Sequence, residues 1–193
     1  SWSRPQAAAS DTNPAHGVSE YNWSITKWQV RSARSTSTCG RPVIVFVHGV
    51  SNVSGYTADP VYDGAALARA VNAVVVSVNY RLGIFGFLNQ TKLKTGADAL
   101  DDSGNYAMLD IIKALRFIRR NIAVFGGDPE RVTLMGESAG AVNLYAVLTS
   151  PLVVNASPPL FHRLMPTSGG LSLASELPPG SFPTLLPASA YQV

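Results

Sequence analysis

The chain has little of what disulfides, metal centres and membrane spans require. A single cysteine, Cys39, occurs among 193 residues, so a disulfide within the chain is excluded. Neither that cysteine nor the three histidines stand at a spacing typical of a metal site, and we expect no metal and no other cofactor. The longest apolar runs, such as residues 43–47, are too short to span a bilayer. The first residues lack a basic stretch followed by an apolar one, which predicts no signal peptide and leaves cytoplasmic and secreted locations both open.

Charged residues are also few. Asp, Glu, Lys and Arg make up 14% of the chain and the net charge is +3, while 46% of the residues are hydrophobic. This composition is typical of a globular domain rather than a disordered segment. The nearest thing to a basic cluster is Arg116, Arg119 and Arg120 in one predicted helix, which we interpret as a solvated helix face. A nucleic-acid surface needs a denser basic stripe with aromatic residues, so nucleic acid is not an expected partner.

From Pro42 onward, strand-like and helix-like segments alternate. The predicted elements are strands at 43–47, 73–78, 132–135 and 163–167 and helices at 63–71, 104–122 and 141–148. Ser103 is expected to cap the long helix, and the apolar pattern of 21–30 allows a further short strand. The alternation predicts an α/β fold with a mostly parallel sheet and helices on both faces. We divide the chain into a segment of uncertain structure, 1–41, and an α/β domain, 42–193.

The segment Gly136-Glu137-Ser138-Ala139-Gly140 joins a predicted strand to a predicted helix. In so sharp a turn only small residues fit two places before and two places after the serine, whose hydroxyl is pushed out above the sheet. The helix that follows points its N-terminus at the site, where its partial positive charge favours a developing oxyanion. The segment therefore predicts a nucleophile elbow, with Ser138 as the nucleophile and the N–H of Ala139 as an oxyanion donor.

Six segments of the chain, read together, carry a family resemblance. They are PVIVFVHG (42–49), SVNYRLG (77–83), GNY (104–106), FGGDP (125–129), GESAG (136–140) and FHR (161–163). In this order and spacing they make the stretch from about residue 42 to residue 170 resemble the type-B carboxylesterases, the cholinesterase-like branch of the α/β-hydrolases. The resemblance implies a truncated α/β-hydrolase fold and hydrolysis of carboxylic esters through a serine acyl-enzyme.

One departure from the family concerns the oxyanion hole. The family usually carries three glycines after its His or Tyr, whereas this chain has Gly49, Val50, Ser51 and Asn52 there. The resemblance implies that the backbone N–H groups of Val50 and Ser51 are oxyanion donors. A backbone N–H needs no glycine side chain, so the hole can form where φ and ψ permit it. The added side chains narrow the space for the acyl group, and a truncated pocket that is shallow and open predicts esters with short acyl chains.

A second departure concerns the base. In the family an acid and a histidine follow far downstream of the nucleophile, and this sequence ends at Val193 before such segments. It resembles the central piece of a larger enzyme. The candidate bases are His16, His48 and His162. The resemblance gives the position of His48 a structural role, and His162, which begins a predicted strand, is expected at the edge of the sheet opposite Ser138.

Several other residues are expected to have structural roles. Asp128 precedes Pro129 and predicts a turn after the long helix. Tyr80, Phe85 and Phe87 are expected in the core rather than around a substrate.

Three functions remain open. The leading hypothesis is a hydrolase of small-molecule carboxylic esters that acts through Ser138. The second is a fragment or binding module without catalytic activity. The third is one half of a split esterase that another chain completes. A shortened sheet leaves unpaired edge strands and uncovered apolar surface, so we expect a homo-oligomer or a completing chain.

Overall fold

The computed structural model describes residues 28–32 and 40–170, which form one five-stranded sheet flanked by helices. The strands are β1 (Trp28–Ser32), β2 (Arg41–Val47), β3 (Val74–Val78), β4 (Gly127–Glu137) and β5 (Arg163–Thr167). The helices are α1 (Ala65–Ala70), α2 (Gly83–Phe87), α3 (Tyr106–Asn121), α4 (Ala139–Thr149) and α5 (Pro151–Val154). None of the helices in these described ranges is long and apolar enough to cross a membrane.

The sheet has the order β1-β3-β2-β4-β5. Strands β2 to β5 run parallel to one another, whereas β1 pairs with β3 in the antiparallel direction. In the centre, Val45 of β2 lies between Val76 and Leu134 of its two neighbours. The predicted mostly parallel α/β sheet is confirmed. Because parallel strands end at the same edge, the residues that follow β2 and β4 meet there.

One face of the sheet is packed against α3 and α4. Valine side chains that alternate along β2 and β3 are fully buried on this face. The predicted stripe of α3 packs against them, with Met108 half-buried and five residues buried, namely Ile111, Ile112, Leu115, Ile118 and Ile122. This core fixes the helices relative to the strands that carry the site.

The opposite face is covered less evenly. Near β3, Gly64 at the start of α1 packs against Val75, and the rings of Phe46 and Tyr62 lie 5.5 Å apart. Toward β5 the cover ends, since Met165 is 52% exposed among the described residues. Helices therefore lie on both faces, but the part of the second face near β5 is open within the described ranges.

The start of the long helix differs from its prediction. Helix α3 begins at Tyr106, and Ser103 does not cap it. Instead, Ser103 lies in a preceding 3-10 turn, where its Oγ donates to the carbonyl oxygen of Leu100 and accepts from the N–H of Asn105. Gly104 has a left-handed φ of 72° between the two elements, so the helix cannot extend back to the serine.

The N-terminal end of β4 is held by hydrogen bonds of ordinary turn chemistry. Asp128 Oδ1 accepts from the N–H of Glu130, but the turn predicted at Asp128 is wrong, because the strand already begins at Gly127. Arg119 donates to the carbonyl oxygen of Pro129 and pairs with Glu130, and its side chain is only 13% exposed. The interpretation of the arginine cluster as a solvated face is therefore wrong for Arg119, because its guanidinium turns back onto the start of the strand.

Candidate active site

Ser138 stands alone between the end of β4 and the start of α4. Its φ of 53° and ψ of −124° lie in a region that residues other than glycine rarely adopt. Such a conformation costs roughly 1–3 kcal/mol and persists only where the surroundings enforce it. Here the N–H of Ser138 donates to the carbonyl oxygen of Thr167 at 2.9 Å. The sharp strand-to-helix turn that the sequence predicts is present.

Glycines make the turn and its close contacts sterically feasible. A Cβ on Gly136 would lie 2.8 Å from the carbonyl carbon of Gly140. A Cβ on Gly140 would lie 2.6 Å from the carbonyl oxygen of His48, and one on Gly49 would lie 2.9 Å from Cβ of Ser138. The nucleophile turn and the end of β2 are therefore in backbone contact, which sets Ser138 directly against the loop that begins at Gly49.

This loop, residues 49–52, has an unusual backbone. Val50, Ser51 and Asn52 have φ values of 58°, 55° and 59° and form one 3-10 turn. Left-handed backbone costs roughly 1–2 kcal/mol for an ordinary residue, and a β-branched valine is a rare occupant. Ala139 is the first residue of α4 and is half-buried. The structure thus brings the expected oxyanion residues Val50, Ser51 and Ala139 to the same edge as Ser138.

A polar network beneath this loop was missed by the sequence analysis. Asn143 Nδ2 donates to Asn52 Oδ1 at 2.7 Å, and Asn52 Nδ2 donates back to Asn143 Oδ1 at 3.2 Å. The hydroxyl of Tyr80 donates to the carbonyl oxygen of His48 at 2.7 Å, with Asn52 Oδ1 also in reach at 3.0 Å. Burial raises the pKa of Tyr80, so the phenol keeps its proton, although the nearby amide of Asn143 opposes that shift. The one sign of this network in the sequence is the amide of Asn143 inside an otherwise apolar helix.

His48 is buried under the same loop, with 1% of its surface exposed. Its ring lies 4.7 Å from that of Tyr80 and 5.8 Å from that of Tyr62, in stacked arrangements. Burial lowers the pKa of His48, and the backbone of Gly49 offsets part of the shift. Neither ring nitrogen has a hydrogen-bond partner of ordinary geometry among the described residues. His48 is therefore not bonded to Ser138, and its ring supports the loop.

His162 lies at the other end of the sheet. Its Nδ1 accepts from the N–H of Val132 at 3.3 Å, and its Nε2 is 3.6 Å from Glu130 Oε2. Ser138 is six residues further along the chain than Val132, about 20 Å at the rise of a strand. The expected position opposite the elbow is confirmed, and His162 cannot reach Ser138. His16 lies outside the described residues, so those residues place no histidine beside the nucleophile.

The aromatic residues divide between core and surface. Tyr80 is buried as expected, but Phe85 is 73% exposed and Phe87 38% exposed, so their expected core position is wrong. The reason is that the single turn of α2 buries Gly86 against the carbonyl group of Arg81, which turns both neighbours outward. Within residues 40–170, no three His, Asp or Glu side chains come together as metal ligands would.

Comparison with known proteins gives the family. The family model described as "Carboxylesterase family" matches residues 24–178. Fumonisin B1 esterase of Sphingopyxis macrogoltabida is 42% identical over 159 residues, which are 82% of this chain and 28% of that protein. Para-nitrobenzyl esterase of Bacillus subtilis is 41% identical over 137 residues, 71% of this chain and 26% of that protein.

Solved structures agree. A PNB esterase structure superposes with a TM-score of 0.64 at 36% identity, over 75% of this chain and 29% of that chain. A carboxylesterase of Geobacillus stearothermophilus does so with a TM-score of 0.62 at 37% identity, over 72% and 28%. The chain spans little more than a quarter of the length of each of these relatives. With this sequence and this α/β-hydrolase fold, the chain belongs to the carboxylesterase family.

Proposed function

We propose that this chain carries the nucleophile of a carboxylic ester hydrolase that acts through an acyl-enzyme on Ser138. The observation that supports this most is the strained backbone of Ser138, with φ 53° at a strand-to-helix turn, beside a loop whose own backbone is left-handed. A turn with a purely structural role has no need of a serine in such a conformation, whereas a nucleophile gains an exposed hydroxyl from it.

The proposed reaction has two steps. Ser138 Oγ attacks the carbonyl carbon of the ester and gives up its proton to a base, while the N–H groups of Val50, Ser51 and Ala139 donate to the oxyanion. The oxyanion collapses, the alcohol leaves with the proton from the base, and the acyl group remains on Ser138. Water, deprotonated by the same base, then attacks the acyl carbon, Ser138 Oγ leaves and takes the proton back from the base, and the carboxylic acid is released.

The base has to come from outside the described residues, because His48 and His162 are both held elsewhere. We propose that a segment outside the described residues supplies it, with His16, a second copy and a completing chain as the candidates. Among the described residues, β5 is an edge strand with Met165 exposed, which supports an association, since an exposed apolar side chain on an edge strand favours pairing. Sedimentation that shows only a monomer at micromolar concentration would count against an assembly.

The substrate is proposed to be a small ester with a short acyl chain. Val50 places a branched side chain, 46% exposed, on the oxyanion loop beside Ser138. We propose that this side chain takes up space that a larger acyl group would need. The relatives are named for different esters, so no particular alcohol or acid is carried over to this chain.

The test compares Ser138→Ala with Ser150→Ala, a matched control. Ser150 lies at the far end of α4 and its side chain makes no capping hydrogen bond. We expect the parent chain and Ser150→Ala to hydrolyse p-nitrophenyl acetate and to be labelled by a fluorophosphonate, with the label on Ser138 by mass spectrometry. Ser138→Ala should lose the label and at least about 10³-fold in kcat/KM.

Two results would contradict the proposal. Equal hydrolysis by the parent chain and Ser138→Ala would assign the activity to another group. A folded parent chain that neither hydrolyses the ester nor takes the label, alone or at concentrations where it assembles, would favour the alternative of a module without catalytic activity.

A further inference from the structure

The oxyanion loop is tied to the helix that carries the nucleophile by one pair of amide side chains. Asn52 is the last residue of the strained 3-10 turn, and Asn143 lies on α4, five residues after Ser138. Each amide donates one hydrogen bond to the other. We propose that this amide pair is a positioning device that fixes the N–H donors of the loop relative to Ser138. The inference rests on the proposed function.

The loop needs support from its surroundings. Three successive residues that are not glycine have positive φ, and Val50 and Ser51 are exposed and bury little surface of their own. Such a backbone persists only where neighbouring groups enforce it. The amide pair joins the end of this turn to a rigid helix, and Gly49 packs against Ser138 at its beginning. The turn is therefore fixed at both of its ends.

Asn143 has no other evident reason to be buried. It is 3% exposed on a helix whose other buried residues are apolar or glycine. Burial of an amide without partners is unfavourable, so a buried Asn is expected only where its hydrogen bonds are made. Both bonds of the pair connect α4 to the loop. The buried amide of Asn143 therefore keeps its hydrogen bonds only while the loop stays in this position.

Tyr80 holds the other side of the loop. Its hydroxyl donates to the carbonyl oxygen of His48, the residue just before Gly49, and lies 3.0 Å from Asn52 Oδ1. Asn52, which is bonded to Asn143, is thus connected through Tyr80 to the residue on the other side of the strained turn. A shift of the amide would move both supports together, and even a displacement of about 1 Å in an active site can reduce the rate 10²-fold.

The expected signature is a change in kcat rather than in KM. Oxyanion donors stabilise the transition state more than the bound ester, so loosening them lowers kcat and leaves KM almost unchanged. We expect Asn143→Leu and Asn52→Leu each to lower kcat about 10- to 100-fold with KM within about threefold, less than the loss of a whole donor. The double variant should lose no more than either single variant, because both remove the same link.

The experiment uses the complete chain and a matched control, Asn121→Ala. Asn121 lies at the end of α3, and its amide bonds only within that helix, to Phe117. The three leucine variants and the control are compared in p-nitrophenyl acetate hydrolysis, in the rate of fluorophosphonate labelling of Ser138, and in thermal unfolding. A merely structural pair predicts that the double variant regains stability and kcat together, since no orphaned amide remains. A positioning pair predicts that kcat stays low when stability returns.

Hydrogen exchange separates a failure of this inference from a failure of the proposed function. We expect peptides covering residues 49–55 to exchange about tenfold faster in Asn143→Leu, with peptides of α3 unchanged. If Ser138 proves unreactive in the parent chain, the proposed function falls and exchange alone decides this inference. Unchanged exchange in that loop, additive losses of kcat, or full labelling of Ser138 in the folded double variant would each overturn it. If Asn143→Leu does not fold, Asn52→Leu, at a half-buried position, answers the same question.

Discussion

The two ends of the sheet carry similar residues in different settings. At the C-terminal ends of the parallel strands, His48 follows β2 and Glu137 ends β4 directly before Ser138, and at the other end His162 lies beside Glu130. The end with His162 has ordinary turns and an exposed ion pair. The end with Ser138 holds five of the six residues in the described ranges that are not glycine and have positive φ. These five are Val50, Ser51, Asn52, Ser138 and Ser168.

Residue type alone does not identify the active-site end of the sheet. A histidine with a nearby glutamate occurs at the end that is far from Ser138, where it ties two strands together. What distinguishes the other end is backbone strain that the packing enforces. Strain of this kind is unfavourable, so its concentration at one edge is better explained by a function there than by folding.

The largest effect is expected from Gly140→Ala. In a helix the change normally stabilises by about 1 kcal/mol. Here the new Cβ would overlap the carbonyl oxygens of Val47 and His48, which are backbone atoms that cannot rotate away. We expect a loss of about 2–3 kcal/mol in the free energy of unfolding and the loss of Ser138 labelling, measured by urea unfolding and by fluorophosphonate reaction.

Gly96→Ala is the control for that comparison. Gly96 has a φ of 71° and no atom within 4 Å of a built Cβ, so the change introduces backbone strain without a clash. We expect it to cost about 1 kcal/mol and to leave the labelling of Ser138 unchanged. If both glycine variants lose the same stability, close backbone contact is not what distinguishes the active-site edge.

A smaller effect is expected from the ion pairs at the two ends. Arg81, just after β3, donates to both carboxylate oxygens of Asp110 at 2.7 and 2.8 Å, with the two side chains 23% and 19% exposed. A lysine cannot make this bidentate pair, so Arg81→Lys should lower the free energy of unfolding by about 1–2 kcal/mol. Glu130→Gln, in an exposed pair at the other end, should leave the unfolding midpoint unchanged. Equal shifts of the urea midpoint in Arg81→Lys and Glu130→Gln would contradict this difference between the two ends.

Much of the fold could be predicted because its signals are local. The continuous apolar run 43–47 and the apolar stripe of α3 each depend on burial, which composition and period report directly. The predicted strand at 163–167 coincides with β5. In contrast, Phe85 could not be assigned to the surface, since its exposure depends on the close approach of Gly86 to Arg81, a contact that no local pattern encodes.

The site could be predicted only in part, for a similar reason. The turn at Ser138 has a local sequence signature, whereas the loop of Val50 and Ser51 has left-handed backbone at residues that ordinarily avoid it. That loop is hydrogen-bonded to Asn143, which lies 91 residues beyond its partner Asn52. A contact at that separation leaves only a faint trace in one sequence, namely a single amide in an apolar helix.

The last prediction uses acid to separate the two ends. Burial holds the pKa of His48 below its ordinary value, so the folded chain resists a proton that the unfolded chain accepts below about pH 6.5. The contribution of this group to stability is therefore lost as the pH falls from about 6.5. We expect urea unfolding to show a midpoint that decreases between pH 6.5 and 5, and His48→Phe to have a flatter profile in that range.

Glu130→Gln is the matching control at the other end. Its hydrogen bond with Arg119 holds the pKa of the Glu130 carboxyl below its usual value, so this group does not titrate between pH 5 and 6.5. The decline should persist in Glu130→Gln. A decline that also persists in a folded His48→Phe would mean that another group takes up the proton. The buried ring of His48 would then not be the acid-sensitive support of the oxyanion loop.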